Sequence, residues 1–270
     1  MSRIVVTEHG PRSVGGRKVP LAPHPVELRA SMVSPRAISY VPETHYADGC
    51  LGLREAYLNT QYGCCTEASQ WHLRNLREHA TDRPETIAAD GDILAIYTRD
   101  GGMPGDNGCS EDVVLRHAAA QGLPRGDRLA GWAVIDLRNS DLLRWGVSEF
   151  VGAVAVGGVP DAWVQTAPGG VWSPAPPNPA NGHSWALVDQ SSTECLSSSW
   201  GQLFTTPWES IAEVCDAAYL LLDEDVLSAA VQRAPDGADW ATLVRDLQSV
   251  GGALWSPGFL DRIRGWVSGL

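Results

Sequence analysis

Residues 57 to 70 read YLNTQYGCCTEASQ: a turn-forming segment, a glycine, two adjacent cysteines and the opening of a helix. From about residue 64 to 80, CTEASQWHLRNLREHA puts Ala68, Trp71, Asn75 and Leu76 near one face, which predicts that helix. A thiol at a helix start is drawn toward thiolate by unpaired N–H groups and the helix dipole. Cys65 sits where the helix begins, after Gly63 frees the backbone to turn. Cys64, one residue earlier, faces roughly away. Glu67 in the first turn suits the helix but opposes a thiolate, so a second charge is needed. A protonated imidazole is the usual supplier.

Seven histidines compete for that role. His72 follows Cys65 on the same helix by roughly 10 Å along its axis, too far for a hydrogen bond. His79 is farther still. His117 falls on another predicted helix, where a solvated or packed ring is the ordinary expectation. His183 instead opens a predicted strand after the flexible NPANG, so its ring can enter a groove mouth while the sheet holds its backbone.

The rest of the chain sets bounds on this chemistry. Its 270 residues fit one large domain or two small ones, and 44% hydrophobic with 19% charged residues is ordinary for a globular protein. A net charge of −12 argues against a nucleic-acid or anionic-membrane binder, which needs a basic surface. MSRIVVTEHGPRSVGG lacks the apolar run of a signal peptide, and no stretch approaches a membrane span. The expectation is a cytoplasmic chain with its six cysteines unbridged. No CxxC pair occurs and Cys64 and Cys65 point apart, so zinc is disfavoured; no metal or cofactor is expected.

Residues 1–50 carry prolines at 11, 20, 23, 25, 35 and 42 without periodicity, an extended arm that lies on the body or on a partner. GDILAIY (91–97) has the apolar content of a strand, while EDVVLRHAAAQG and NSDLLRWGVSEF predict helices. VGAVAVGGV (151–159), HSWALVDQ (183–190) and TECLSSSW (193–200) predict strands. PWESIAEVCDAAYLLL predicts a helix and then a strand, and DWATLVRDLQSV and GFLDRIRGWV add helical pieces. The loop 165–182, with Trp163 and Trp172, is expected to form a groove wall. Helices first and strands later predict an α+β fold, two parts facing across a groove.

Three pieces together carry a resemblance. LNTQYGCCTEAS resembles the active-site segment of papain-like cysteine peptidases, particularly a bacterial and phage branch. NGHSWALVD resembles the Gly-His-Ala-Val stretch that carries the family's imidazole. SSSWGQ resembles the Asn-Ser-Trp-Gly segment that follows it. DNGCSEDVVL, GWAVIDLRN and AYLLLDEDVL are further segments expected in that branch. The resemblance implies a papain-like domain over 51–250, with the arm at 1–50 outside it and 251–270 a helical tail. It implies Cys65 as nucleophile, His183 as base, Asn59 as an oxyanion donor with the Cys65 N–H, and Trp200 as a shield over the histidine. Ser198 stands where the family's histidine-orienting asparagine belongs, and Asp189 is a substitute by charge.

The implied activity is peptide (amide) hydrolysis through a Cys65–His183 thiolate–imidazolium pair, with a peptide or protein substrate. Each residue has an ordinary reading when taken alone: a buried thiol pair, a packed strand histidine, a core tryptophan, a turn asparagine. A rival from another class is a papain-fold structural or binding component, for example in a phage particle, contacting neighbouring subunits through the arm. Transglutaminase-like or amidase chemistry with the same Cys–His pair is a third reading.

Overall fold

The computed structural model describes residues 3–14, 17–18, 27–29, 41, 43–124, 129–135, 137 and 140–223. The predicted helical pieces after residue 223, including the tail at 251–270, lie outside them. In chain order the strands are β1 (Arg3–Thr7), β2 (Gly10–Val14), β3 (Arg17–Lys18), β4 (Glu27–Arg29), β5 (Cys109–Ser110), β6 (Leu129–Ile135), β7 (Ala153–Gly158), β8 (Gly182–Gln190), β9 (Glu194–Ser199), β10 (Gln202–Pro207) and β11 (Cys215–Asp223). The helices are α1 (Cys65–Ala80), α2 (Asp90–Arg99), α3 (Glu111–Gln121), α4 (Ser140–Glu149), α5 (Asp161–Val164) and α6 (Trp208–Val214).

Six antiparallel strands and one parallel edge strand form the sheet, in the order β10-β9-β8-β7-β11-β6-β4. Strand β8 shows why it has two covered faces. Trp185 and Leu187 pack into a cluster with Trp163, Trp172, Trp200 and Phe204, whereas Ala186 and Val188 pack with Leu73 and Leu76 of α1. Alternate residues on a strand point to opposite faces, so both faces of β8 are buried. Each fully buried Val or Leu contributes about 1.5–3 kcal/mol of transfer free energy.

Helix α1 is buried along most of its length. Leu73 and Leu76 face the sheet, while Ala68 and Trp71 meet Ile93, Ile96, Tyr97 and Val114 of α2 and α3. The stretch GDILAIY is helix, not the strand expected of it. Ile93, Ile96 and Tyr97 are its buried residues, a three-and-four spacing that puts one face on α1. Asp90 and Asp92 lie in its first turn, where the helix dipole favours negative charge. Residues 3–14 form the hairpin β1–β2, and Arg12, Ser13 and Val14 are buried against the body.

Candidate active site

Cys65 is the first residue of α1 and Cys64 is its N-cap. Cys64 Sγ lies 3.4 Å from the Tyr57 carbonyl, and burial, with Glu67 and Cys65 adding, pushes its thiol well above the ordinary range. No disulfide joins any of the six cysteines. Glu67 is completely enclosed, and burial, reinforced by Asp100, raises its carboxyl to about 7. It therefore opposes a thiolate at Cys65 less than its position in the first turn suggested.

His183 sits near the start of β8, fully buried. Its Nε2 lies 2.7 Å from Ser199 Oγ, and its ring stacks on Trp200 with centroids 4.5 Å apart. Its Nδ1 has no hydrogen-bond partner among the described residues. Burial, then the charges of Arg12 and His72, lowers the ring to about 3, so it is held neutral at physiological pH. The hydroxyl that meets the ring is Ser199, one residue beyond the expected Ser198. Ser198 Oγ instead donates to the Leu53 carbonyl at 3.0 Å.

The turn between β9 and β10 explains both the offset and the position of Trp200. Ser199 pairs with Gln202, leaving Trp200 and Gly201 as a two-residue connection with φ of 53° and 71°. Positive φ at both central residues is the type I′ pattern, whose twist matches the flanking strands. A Cβ on Gly201 would stand 2.8 Å from the Arg54 carbonyl oxygen, so glycine is required there. Trp163 and Trp172 stack at 4.7 Å, and Trp172 meets Trp200 edge-on at 5.9 Å. These two rings are buried and back Trp200.

Three hydroxyl and carboxyl groups join the helical side to the sheet beside His183. Ser69 Oγ lies 2.9 Å from Ser184 Oγ, and Ser184 Oγ donates to Glu111 Oε2 at 3.1 Å. Ser69 is one helical turn beyond Cys65, and Ser184 follows His183 in the chain. All three lie within segments quoted for the resemblance, but nothing there singled out these side chains. Asp189 is not part of the site: its oxygens accept from the N–H groups of Tyr46 and Ala47 at 2.6 and 2.9 Å.

Asn59 is buried, and its Oδ1 has no partner among the described residues. Its backbone carbonyl accepts from the Ser13 N–H at 3.2 Å, while the Ser13 carbonyl accepts from Trp200 Nε1 at 3.1 Å. Residue 13 thus bridges Asn59 and Trp200, with Arg12 beside it. The sequence carries no signal for this, because an isolated Arg-Ser in a proline-rich arm has no pattern.

No protein-family model matches the chain. No curated protein matches it either. Among solved structures it is similar to digestive procathepsin L 3 of Tenebrio molitor larval midgut, at 12% identity and a TM-score of 0.51, over 71% of this chain and 74% of that one. It also aligns with the Carica candamarcensis cysteine protease CMS1MS2, at 14% identity and a TM-score of 0.43, over 71% of this chain and 94% of that one. Identities this low speak to the fold alone. Helices packed on a mainly antiparallel sheet, together with the first of these likenesses, give the chain an α+β, papain-like fold.

Proposed function

We propose that the chain is a cysteine hydrolase that cleaves peptide bonds with Cys65 as nucleophile and His183 as base. The observation that carries this reading is the His183 ring. It is held at Nε2 by Ser199 and covered by Trp200, with Nδ1 left without a partner among the described residues. With Nε2–H donating to Ser199 Oγ, the lone pair sits on Nδ1, where it can accept the Cys65 thiol proton. The thiolate then attacks the scissile carbonyl carbon. The Cys65 backbone N–H and the Asn59 side-chain amide donate to the resulting oxyanion, at about 3 kcal/mol per donor. His183 returns the proton to the leaving amine, and water attacks the thioester to free the acid and the thiol. The motif segments also favour kinship with the bacterial and phage branch.

Mapping a thiol-directed electrophile onto the native chain tests this. The expected result is one adduct at Cys65, retained in Cys64→Ala and lost in Cys65→Ala. Equal labelling of the two single variants removes Cys65 from the reading.

A second reading, a structural or binding component, draws support from one feature. The chain's own residues 12 and 13 lie buried against Trp200 and Asn59, and burial, with the Arg12 charge adding to it, disfavours an imidazolium at His183. A chain that assembles with neighbouring subunits yet hydrolyses no peptide, with intact folding, sustains that alternative.

A further inference from the structure

The side chain of Arg12 is completely buried in a pocket supplied by residues more than a hundred positions away. Its Nη1 donates to the carbonyls of Trp163 at 3.0 Å and Val164 at 2.6 Å. Its Nη2 donates to the Thr166 carbonyl at 2.6 Å and to Gln202 Oε1 at 2.9 Å. The guanidinium carbon lies 4.9 Å from the centroid of Trp200 and 5.3 Å from that of Phe204. All four acceptors are neutral, so a fixed fork of donors is matched by geometry and by aromatic faces rather than by a carboxylate.

The walls also rest on contacts that do not involve Arg12. The carbonyls belong to α5 and the turn after it, whose path is set by Trp163 stacked on Trp172. Phe204 stacks on Trp172 at 4.5 Å, and Gln202 starts β10. Trp200 also stacks on His183, so the pocket adjoins the proposed base. The main chain next to Arg12 uses partners open to any peptide: Ser13 donates its N–H to Asn59 and accepts from Trp200 Nε1.

We propose that this pocket is a subsite for the arginine side chain of a peptide ligand, and that Arg12 is its resident occupant in cis. The inference deepens the hydrolase reading by naming a substrate class. It rests on that reading only for the statement that the peptide is then cleaved.

The test uses the full chain carrying Arg12→Ala, titrated with N-acetyl-arginine methylamide and with its lysine and leucine counterparts, followed by tryptophan fluorescence. Arg12→Ala is expected to bind the arginine compound saturably, at least about tenfold more tightly than the lysine one, because lysine lacks the planar fork. The unaltered chain is expected to show no saturable binding. Adding Gln202→Ala is expected to weaken the arginine compound several-fold. A folded Arg12→Ala chain that binds none of the three, or all three alike, overturns the proposal. If Arg12→Ala is unfolded or loosened, the thermal midpoint is read instead. It is expected to rise with the arginine compound and not with the lysine one, since a ligand bound only by the folded state stabilises it. No arginine-specific rise overturns the proposal. Neither readout needs bond cleavage, so a Cys65 that fails to label leaves this outcome standing.

Discussion

On the helical side of the seam, Cys65 is carried by backbone: it opens α1, a helix packed on the sheet through Leu73 and Leu76 and on its neighbours through Ala68 and Trp71. On the sheet side, strand β8 carries the His183 backbone, but its ring is held by side chains: one hydroxyl at Nε2, one indole face and, over that indole, a guanidinium from residue 12. A helix start can be moved only by moving the helix. A hydroxyl, an indole and an arginine can each be exchanged singly. The helical side therefore sets where the sulfur is, while the sheet side sets whether the ring is oriented, shielded and charged. Glu67 and His183 make the contrast electrical. Burial moves both, the carboxyl up to about 7 and the ring down to about 3, so each is neutral over much of the acid range.

The largest stability effect expected from this contrast lies on the helical side. Unfolded, Glu67 releases its proton near 4.5; folded, it keeps the proton to about 7. Its contribution is full below pH 4.5 and is lost as pH rises through 7, a change of about 3 kcal/mol. Glu67→Gln is expected to abolish that fall, measured as the difference in urea midpoint between acid and mildly alkaline pH. An unchanged fall places the titrating group elsewhere.

A smaller loss is expected on the sheet side. Gly201→Ala forces a side chain into positive φ and toward the Arg54 carbonyl, at a cost of about 2 kcal/mol read from the urea midpoint. It is also expected to lower peptide turnover, since the same turn aims Trp200 over His183. Turnover unchanged at that cost separates the turn from the site.

Smaller again is the effect that distinguishes the adjacent serines. Ser199→Ala is expected to reduce turnover about tenfold by releasing the ring at Nε2. Ser198→Ala is expected to leave turnover in place and lower stability by about 1 kcal/mol, having removed the donor to the Leu53 carbonyl. The reverse pattern returns the orienting role to Ser198.

These particulars mark what the sequence made legible. The long helix at Cys65, the helices at Glu111 and Ser140 and the strands at Ala153, His183 and Glu194 follow their apolar periodicity. GDILAIY is a short apolar run, which periodicity alone cannot assign, and packing on Trp71 decided it as helix. SSSW carries no alternation of apolar and polar residues, so its register was open. A one-residue slip exchanges the faces of a strand, and the Trp200–Gly201 turn settled which serine meets the ring. Arg12 had no local signal at all: its role exists only because residues 163–166 and 200–204 build acceptors and aromatic faces far along the chain.

The account depends above all on His183 serving Cys65, and the pH–rate profile of Cys65 alkylation by iodoacetamide tests this most directly. A thiol only 1% exposed is reached only when the chain around it opens, and an opening that hydrates His183 also relieves the burial that holds its ring neutral. The unaltered chain is expected to react well below the ordinary thiol midpoint of about 8.5, and His183→Gln to return the profile to that value or above. Superposable profiles for the two proteins would contradict the account.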